Sequence, residues 1–159
     1  MTVIGIDPGL DGAVAVLEAG GEHMVYDTPT LTVKSAKGNR REYNLITMAS
    51  WLRPHAATSV AYIENVHAMP GQGVRSMFTM GLGVGAWLGI LAALEIPVTR
   101  VAPQRWKGVM LDGMGHDKDA GRLRAIQLFP SRACLFERKK DDGRADAILI
   151  AEYGRRVGA

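Results

Sequence analysis

Four acidic residues stand where a folded α/β sheet would gather a site from distant parts of the chain: Asp7, Glu64, Asp142 and Asp146. Asp7 closes the apolar run Val3 to Ile6 and precedes Pro8-Gly9, while Glu64 closes the β-rich run Ser59 to Ile63. Asp142 and Asp146 are four residues apart, so a helix beginning near Asp142 projects both from one face. Carboxylates converging without a cation would repel one another and hold their protons. Two divalent cations would relieve that repulsion and bind a phosphodiester. Such oxygen ligands suit Mg2+, with Mn2+ as the alternative, and two ions about 4 Å apart activate a water and stabilise the leaving oxygen of an in-line displacement.

Each residue also has an ordinary reading. Asp7 suits a turn whose carboxylate accepts nearby backbone amides. Glutamate is depleted in strands, so local preference explains Glu64 poorly, and an exposed edge position is its alternative. Asp141 or Asp142 would stabilise a helix N-terminus by roughly 0.3 to 1 kcal/mol. Asp146 lies among Ala145, Ala147, Ile148, Leu149 and Ile150, where an unpaired carboxylate is expensive to bury. That setting favours a metal.

The elements that must position these groups follow from patterning. Val3 to Ile6 and Gly12 to Leu17 read as an opening hairpin, and residues 23 to 28 as a third strand. Thr30 to Arg41, with Lys34, Lys37, Arg40 and Arg41, lacks apolar periodicity and predicts a mobile basic loop. Tyr43 to Leu52 has helical spacing, Ser59 to Ile63 is a strand, and His67 to Gly73 is a Gly/Pro loop. Met77 to Leu94 carries no charge and predicts a buried helix, although its length approaches the lower limit for a membrane span. Gly81, Gly83, Gly85 and Gly89 each lower its helix propensity by roughly 1 kcal/mol relative to alanine, a cost that close packing at a dimer interface would offset. A strand at Ile96 to Val101 and helices near Asp117 to Leu128 and Ala145 to Tyr153 complete a single domain of 159 residues. This order builds a mixed sheet covered on both faces.

Gly5-Ile6-Asp7-Pro8-Gly9, Ile63-Glu64-Asn65-Val66, and Lys139-Lys140-Asp141-Asp142 followed by Ala145-Asp146-Ala147 together resemble the RuvC-like Holliday junction resolvases. The resemblance spans almost the whole chain. It implies an RNase H-like α/β fold with a mixed five-stranded sheet and helices on both faces, a homodimer, and a two-metal site. Asp7, Glu64 and Asp146 match the family's carboxylates, and Asp142 is the best match for the fourth, with Asp141 competing. Bacterial members commonly place that fourth ligand three residues before the last aspartate, where this chain has Gly143. The four-residue spacing resembles the phage, poxviral and fungal mitochondrial branches instead.

The resemblance further implies that Lys107 and Lys118 border the cleavage site, ordinary solvated lysine being the alternative for each. It implies that the loop Val66 to Arg75 enters a junction centre, with His67 in the place of a base-stacking aromatic and Met69 beside it, a plain surface connector being the alternative. Gln72, Arg75 and Arg105 are candidate DNA contacts. The implied activity is paired cutting of four-way DNA junctions, leaving 5′-phosphate ends and extending to other branched DNA. A junction-binding protein without catalysis is the alternative.

Composition limits the remaining classes. With 47% hydrophobic and 22% charged residues the chain is unlike a disordered segment. A lone cysteine, Cys134, excludes an internal disulfide, and the N-terminus lacks a signal-peptide pattern, so a reducing compartment such as a bacterial or phage-infected cytoplasm is expected, with no membrane partner. Residues 1–99 carry six basic and eight acidic side chains, net −2, whereas residues 100–159 carry thirteen and eight, net +5. Arg100, Arg105, Arg122, Arg124, Arg132, Arg138, Lys139 and Lys140 are therefore candidates for a phosphate-facing surface, scattered surface charge being the alternative. The Gly-Ile-Asp-Pro-Gly opening also occurs in actin-like ATPases, but those need a second nucleotide-binding domain for which this chain is too short. No Gly-Lys-Ser/Thr follows the glycines, which argues against a phosphate-cradling loop, and the lone His23 is given no role.

Overall fold

The computed structural model describes residues 1–36, 38–115 and 119–158. Strands β1 (Thr2–Asp7), β2 (Ala13–Leu17) and β3 (His23–Asp27) form an antiparallel meander, followed by a separate hairpin of β4 (Thr30–Ser35) and β5 (Gly38–Tyr43). Helix α1 (Leu45–Leu52) and a 3₁₀ turn lead into β6 (Ser59–Glu64). The long helix α2 (Val74–Ala93), strand β7 (Val98–Val101) and helices α3 (Pro103–Met110), α4 (Ala120–Leu128) and α5 (Asp142–Val157) complete the chain. The main sheet has the order β3-β2-β1-β6-β7, with β1 antiparallel to β2 but parallel to β6. It is the expected mixed five-stranded sheet.

β1 and β2 are buried along nearly their whole length because both sheet faces are covered. Their period-two alternation sends Val3, Ala13, Ala15 and Leu17 to the side of α3, α4 and α5, where Trp106, Phe136 and Ile148 fill the layer. Ile4, Ile6, Val14 and Val16 go to the side of α1 and α2, against Met48, Leu52, Trp87 and Leu91. Both layers are closed by aromatic and branched side chains.

Helix α5 lies against β1 so closely that a Cβ on Gly5 would stand 2.2 Å from the Ala147 carbonyl oxygen and 2.3 Å from the Ala151 amide nitrogen. The same helix meets the β1–β2 turn at Gly143, where a Cβ would fall 2.4 Å from the Asp11 carbonyl oxygen. A side chain of any size is excluded there, so no carboxylate can stand three residues before Asp146 in this fold. Arg144 ties the start of α5 to the end of β3 by a two-pronged ion pair with Asp27, at 2.5 and 2.6 Å.

Three sequence expectations are corrected. Thr30 to Arg41 belongs to the β4–β5 hairpin and is not an irregular loop. Its strands pair with each other and, Tyr43 apart, face no core layer, so they show no apolar alternation. Tyr43 ends β5 and does not begin α1; its hydroxyl is shared between the carbonyl oxygens of Pro8 at 3.3 Å and Thr79 at 3.2 Å. The helix expected to be buried is α2, and it buries Gly83, Trp87 and Leu91 but exposes Val74, Phe78 and Leu82. Its apolar character is long enough to cross a membrane, yet one stripe packs on the sheet. Helix α3 is a further element without a counterpart in the sequence reading; Pro103 at its first turn and Trp106 and Met110 one turn apart were its signals.

Because backbone atoms oppose Gly5, the neighbouring helix cannot move aside cheaply. Gly5→Ala is expected to destabilise the protein by about 2 to 3 kcal/mol, measured by urea or thermal unfolding. An unchanged unfolding curve would contradict the close α5–β1 contact.

Candidate active site

The parallel pairing of β1 and β6 ends at Ile6 opposite Ile63, and the next residue on each strand is Asp7 or Glu64. Both carboxylates therefore stand at the C-terminal edge of the central strands, the usual binding edge of an α/β sheet. The α5–β1 contact brings the first two turns of α5, with Asp142 and Asp146, to the same edge.

Electrostatics reveals the proximity. Asp7 accepts one long bond from the Gly9 amide, at 3.4 Å. Burial, then Asp146, then Glu64 push its carboxyl up from 3.8 to about 7, against smaller opposing effects of the Gly9 amide and Lys107. Asp146 rises to about 6, chiefly through burial, with Glu64 and Asp142 adding repulsion and Lys107 opposing it. The turn reading of Asp7 thus accounts for one weak bond, while the larger influences are desolvation and like charge.

Each of the other acidic groups has a partner. Glu64 accepts a hydrogen bond from the indole nitrogen of buried Trp106 at 3.0 Å. Lys107 lies 3.7 Å from Asp146 and 5.0 Å from the Trp106 ring centre. Asp142, largely exposed, is 2.8 Å from Arg122. Among the described residues, no three of His, Cys, Asp and Glu already form a metal cage.

Asp141 differs from its neighbour. Its buried carboxylate is bonded by the backbone amide and guanidinium of Arg138, which holds it well below the usual carboxylate range. It closes the turn before α5.

Two clefts meet at Asp142 and Asp146. One, about 1090 Å³, runs past Lys107, Gly121 and Arg122; the other, about 790 Å³, runs past Asp7, Arg41 and Arg75. Arg75 is thus brought to the acidic edge. His67 and Met69 are exposed on the loop after β6, with His67 Nε2 3.2 Å from the Asn65 amide group and Gln72 accepting from the Met69 amide at 3.3 Å. Arg105 is exposed on α3 but lines neither cleft. Lys118 and His116 lie outside the described residues.

Arg122 does not belong to an open phosphate-facing surface. Its side chain is mostly buried, bonded to Asp119, to the Glu137 carbonyl oxygen and to Asp142. Sequence reasoning missed Trp106 and Arg122 as site residues because their roles depend on partners 42 and 20 positions away in sequence.

No protein-family model matches the chain. Thermus thermophilus RuvC in complex with a Holliday junction substrate superposes with a TM-score of 0.61 at 17% identity, covering 99% of this chain and 96% of that one. This chain has the RuvC fold. The RuvC structure without that substrate gives a TM-score of 0.55 at 19% identity, covering 99% and 97%. The yeast mitochondrial resolvase Ydc2 gives 0.54 at 17% identity, covering 97% and 77%. The expected RNase H-like α/β fold is therefore the observed one. In sequence, the chloroplastic Holliday junction resolvase MOC1 of Chlamydomonas reinhardtii is 35% identical over 92 residues, 58% of this chain and 10% of that protein. The chain thus matches about a tenth of that relative's length.

Within the RuvC fold the raised carboxyls of Asp7 and Asp146 carry a stability consequence. The folded state holds their protons more tightly than the unfolded chain, so their contribution is fully present below about pH 4 and is lost as pH rises to about 7. Asp7→Asn, which cannot ionise, is expected to flatten this part of the metal-free pH profile and raise Tm by several degrees at pH 8. Calorimetric melts across that range check it, and parallel wild-type and variant profiles would contradict it.

Proposed function

We propose that the protein is a divalent-metal-dependent endonuclease that cuts four-way DNA junctions, and other branched DNA, leaving 5′-phosphate ends. The observation that carries this reading is the meeting of Asp7, Glu64, Asp142 and Asp146 at one edge of a RuvC fold. The donor chemistry fits: all-oxygen ligands, two of them with proton affinities raised by crowding, suit Mg2+ or Mn2+. Asp7, Glu64 and Asp146 would hold two such ions, with Asp142 as the fourth ligand after release from Arg122. Bound there, the ions would supply an activated water and a stabilised leaving oxygen.

The chain's own residues set up that chemistry. Trp106 orients Glu64 by its indole hydrogen bond, and Lys107 supplies positive charge beside Asp146, where a scissile phosphate would need it. Arg75 stands in the cleft that contains Asp7 and suits a backbone contact. His67 and Met69 are exposed enough to meet bases at a branch point. Lys118 keeps its place as a second flanking cation by resemblance alone. A binding protein without catalysis would have no use for this acidic crowding, which costs folding energy without a cation.

A homodimer fits the exposed stripe of α2. Val74, Phe78 and Leu82 are exposed, and a Cβ at Gly81, Gly85 or Gly89 would meet nothing within the chain. A two-fold copy packed there would bury the stripe and present two acidic edges to one junction. The free, exposed Cys134 suits a reducing compartment such as the cytoplasm; the MOC1 relative is chloroplastic.

With labelled four-way junction, fork, flap and linear duplex, cleavage is expected in Mg2+ or Mn2+ and none in EDTA. Asp146→Asn is expected to lower the rate at least 1,000-fold, on the order of a lost core catalytic group. Tight junction binding without any cleavage by wild type would favour the non-catalytic reading. Phe78→Glu is expected to give a monomer by sedimentation that nicks single strands without paired cuts; an unchanged sedimentation coefficient would remove α2 from the interface.

A further inference from the structure

Apart from Tyr43, which joins the core layer under α1 and α2, the β4–β5 hairpin takes no part in the main sheet or in either core layer, so folding of the core does not explain its basic residues. Residues 30–43 hold four basic side chains, Lys34, Lys37, Arg40 and Arg41, against one acidic, Glu42. Their net charge of +3 equals that of the whole chain. Lys37, at the tip, lies outside the described residues.

The register divides these charges between two faces. Residues directly opposite in an antiparallel pair share a face, and same-face positions recur about every 6.6 Å along a strand. One face carries Leu31 opposite Glu42 and Val33 opposite Arg40, with Arg40 and Glu42 paired at 2.5 Å. That face neutralises itself. The other carries Thr32 opposite Arg41 and Lys34 opposite Asn39: two cations, a hydroxyl and an amide, with no carboxylate of its own.

This cationic face is continuous with the acidic edge. Tyr43, next along it, is fastened to Pro8 and Thr79, and Arg41 lines the cleft that contains Asp7, Asp142 and Asp146. Arg41 is paired with Asp11 at 2.6 Å, an exposed partner in the β1–β2 turn. An exposed pair of this kind is worth little, about 0 to 1 kcal/mol. A phosphate could therefore replace Asp11 at small cost. Lys34 is exposed and makes no ion pair among the described residues.

We propose that the β4–β5 hairpin is a second DNA-contacting element, gripping backbone phosphates of a duplex arm through Arg41 and Lys34, with Asp11 as the anion that DNA displaces. The inference rests on the nuclease reading of the acidic edge and adds a surface to it. Phosphate contacts of this type position the substrate without reading its sequence.

The test is anisotropy binding of a labelled four-way junction in EDTA, followed over a salt titration, with cleavage assayed separately in Mg2+. Each lost phosphate contact should flatten the slope of log affinity against log salt by about 0.9. Lys34→Ala with Arg41→Ala is therefore expected to flatten it by about 1.8, and Lys34→Ala alone, at an exposed position, by about 0.9. Arg40→Ala, on the self-neutralised face, is expected to leave the slope unchanged, and Asp11→Asn to tighten binding several-fold. Variants with the wild-type slope, or an equal effect of Arg40→Ala, would overturn the hairpin's role while leaving the nuclease reading intact. Hairpin-dependent binding without cleavage would overturn the nuclease reading alone, and wild-type protein that binds no DNA would overturn both.

Discussion

The contact between α5 and β1 is the constraint on which the site depends. A helix carrying Ala147 and Ala151 can press its backbone onto a strand only where the strand has no side chain, and Gly5 supplies that gap. Gly143 repeats the device one turn earlier, against the β1–β2 turn. Two glycines far apart in sequence thereby bring Asp142 and Asp146 to the edge where β1 and β6 deliver Asp7 and Glu64. The Arg144–Asp27 pair ties the same helix end to the edge strand β3.

That closeness has an electrostatic cost. Asp7 and Asp146 cannot both ionise cheaply among like charges at a half-buried edge. The protein reduces the strain with Lys107 and Arg122, and fixes Glu64 by Trp106. Asp141, adjacent in sequence to Asp142, is drawn away into a structural bond with Arg138. Two neighbouring aspartates thus have separate environments: one closes a turn, and the other opens onto both clefts.

The fold places its charges unevenly around this edge. Cationic groups line the clefts from α3, from the start of α2 and from the β4–β5 hairpin, alongside Asp7, Asp142 and Asp146. An anionic polymer would be attracted to the cationic groups and would need added positive charge at the carboxylates. The exposed apolar stripe runs along α2 itself, which carries no charge between Met77 and its end.

Much of the architecture was legible in the residues. Apolar runs ended by Asp7 and Glu64 marked two central strands, and the four-residue spacing of Asp142 and Asp146 marked the start of α5, because burial imposes period two on strands and 3.6 on helices. The β4–β5 hairpin escaped notice because strands with no core to face carry no such period. The full burial expected of α2 failed because apolar composition records what a helix can bury, not which neighbour is present to cover it. Sequence by itself determined the donor types, their strand-end and helix-start positions, and the reading of a mixed sheet. Only the tertiary structure decided that Asp141 belongs to Arg138, that Trp106 serves Glu64, and that Arg41 reaches the acidic cleft. The last two are distances between residues remote in sequence, set by packing, and no local pattern encodes them. The Arg138–Asp141 bond spans three positions, but adjacent Asp142 offers the same carboxylate and the fold alone separates the two.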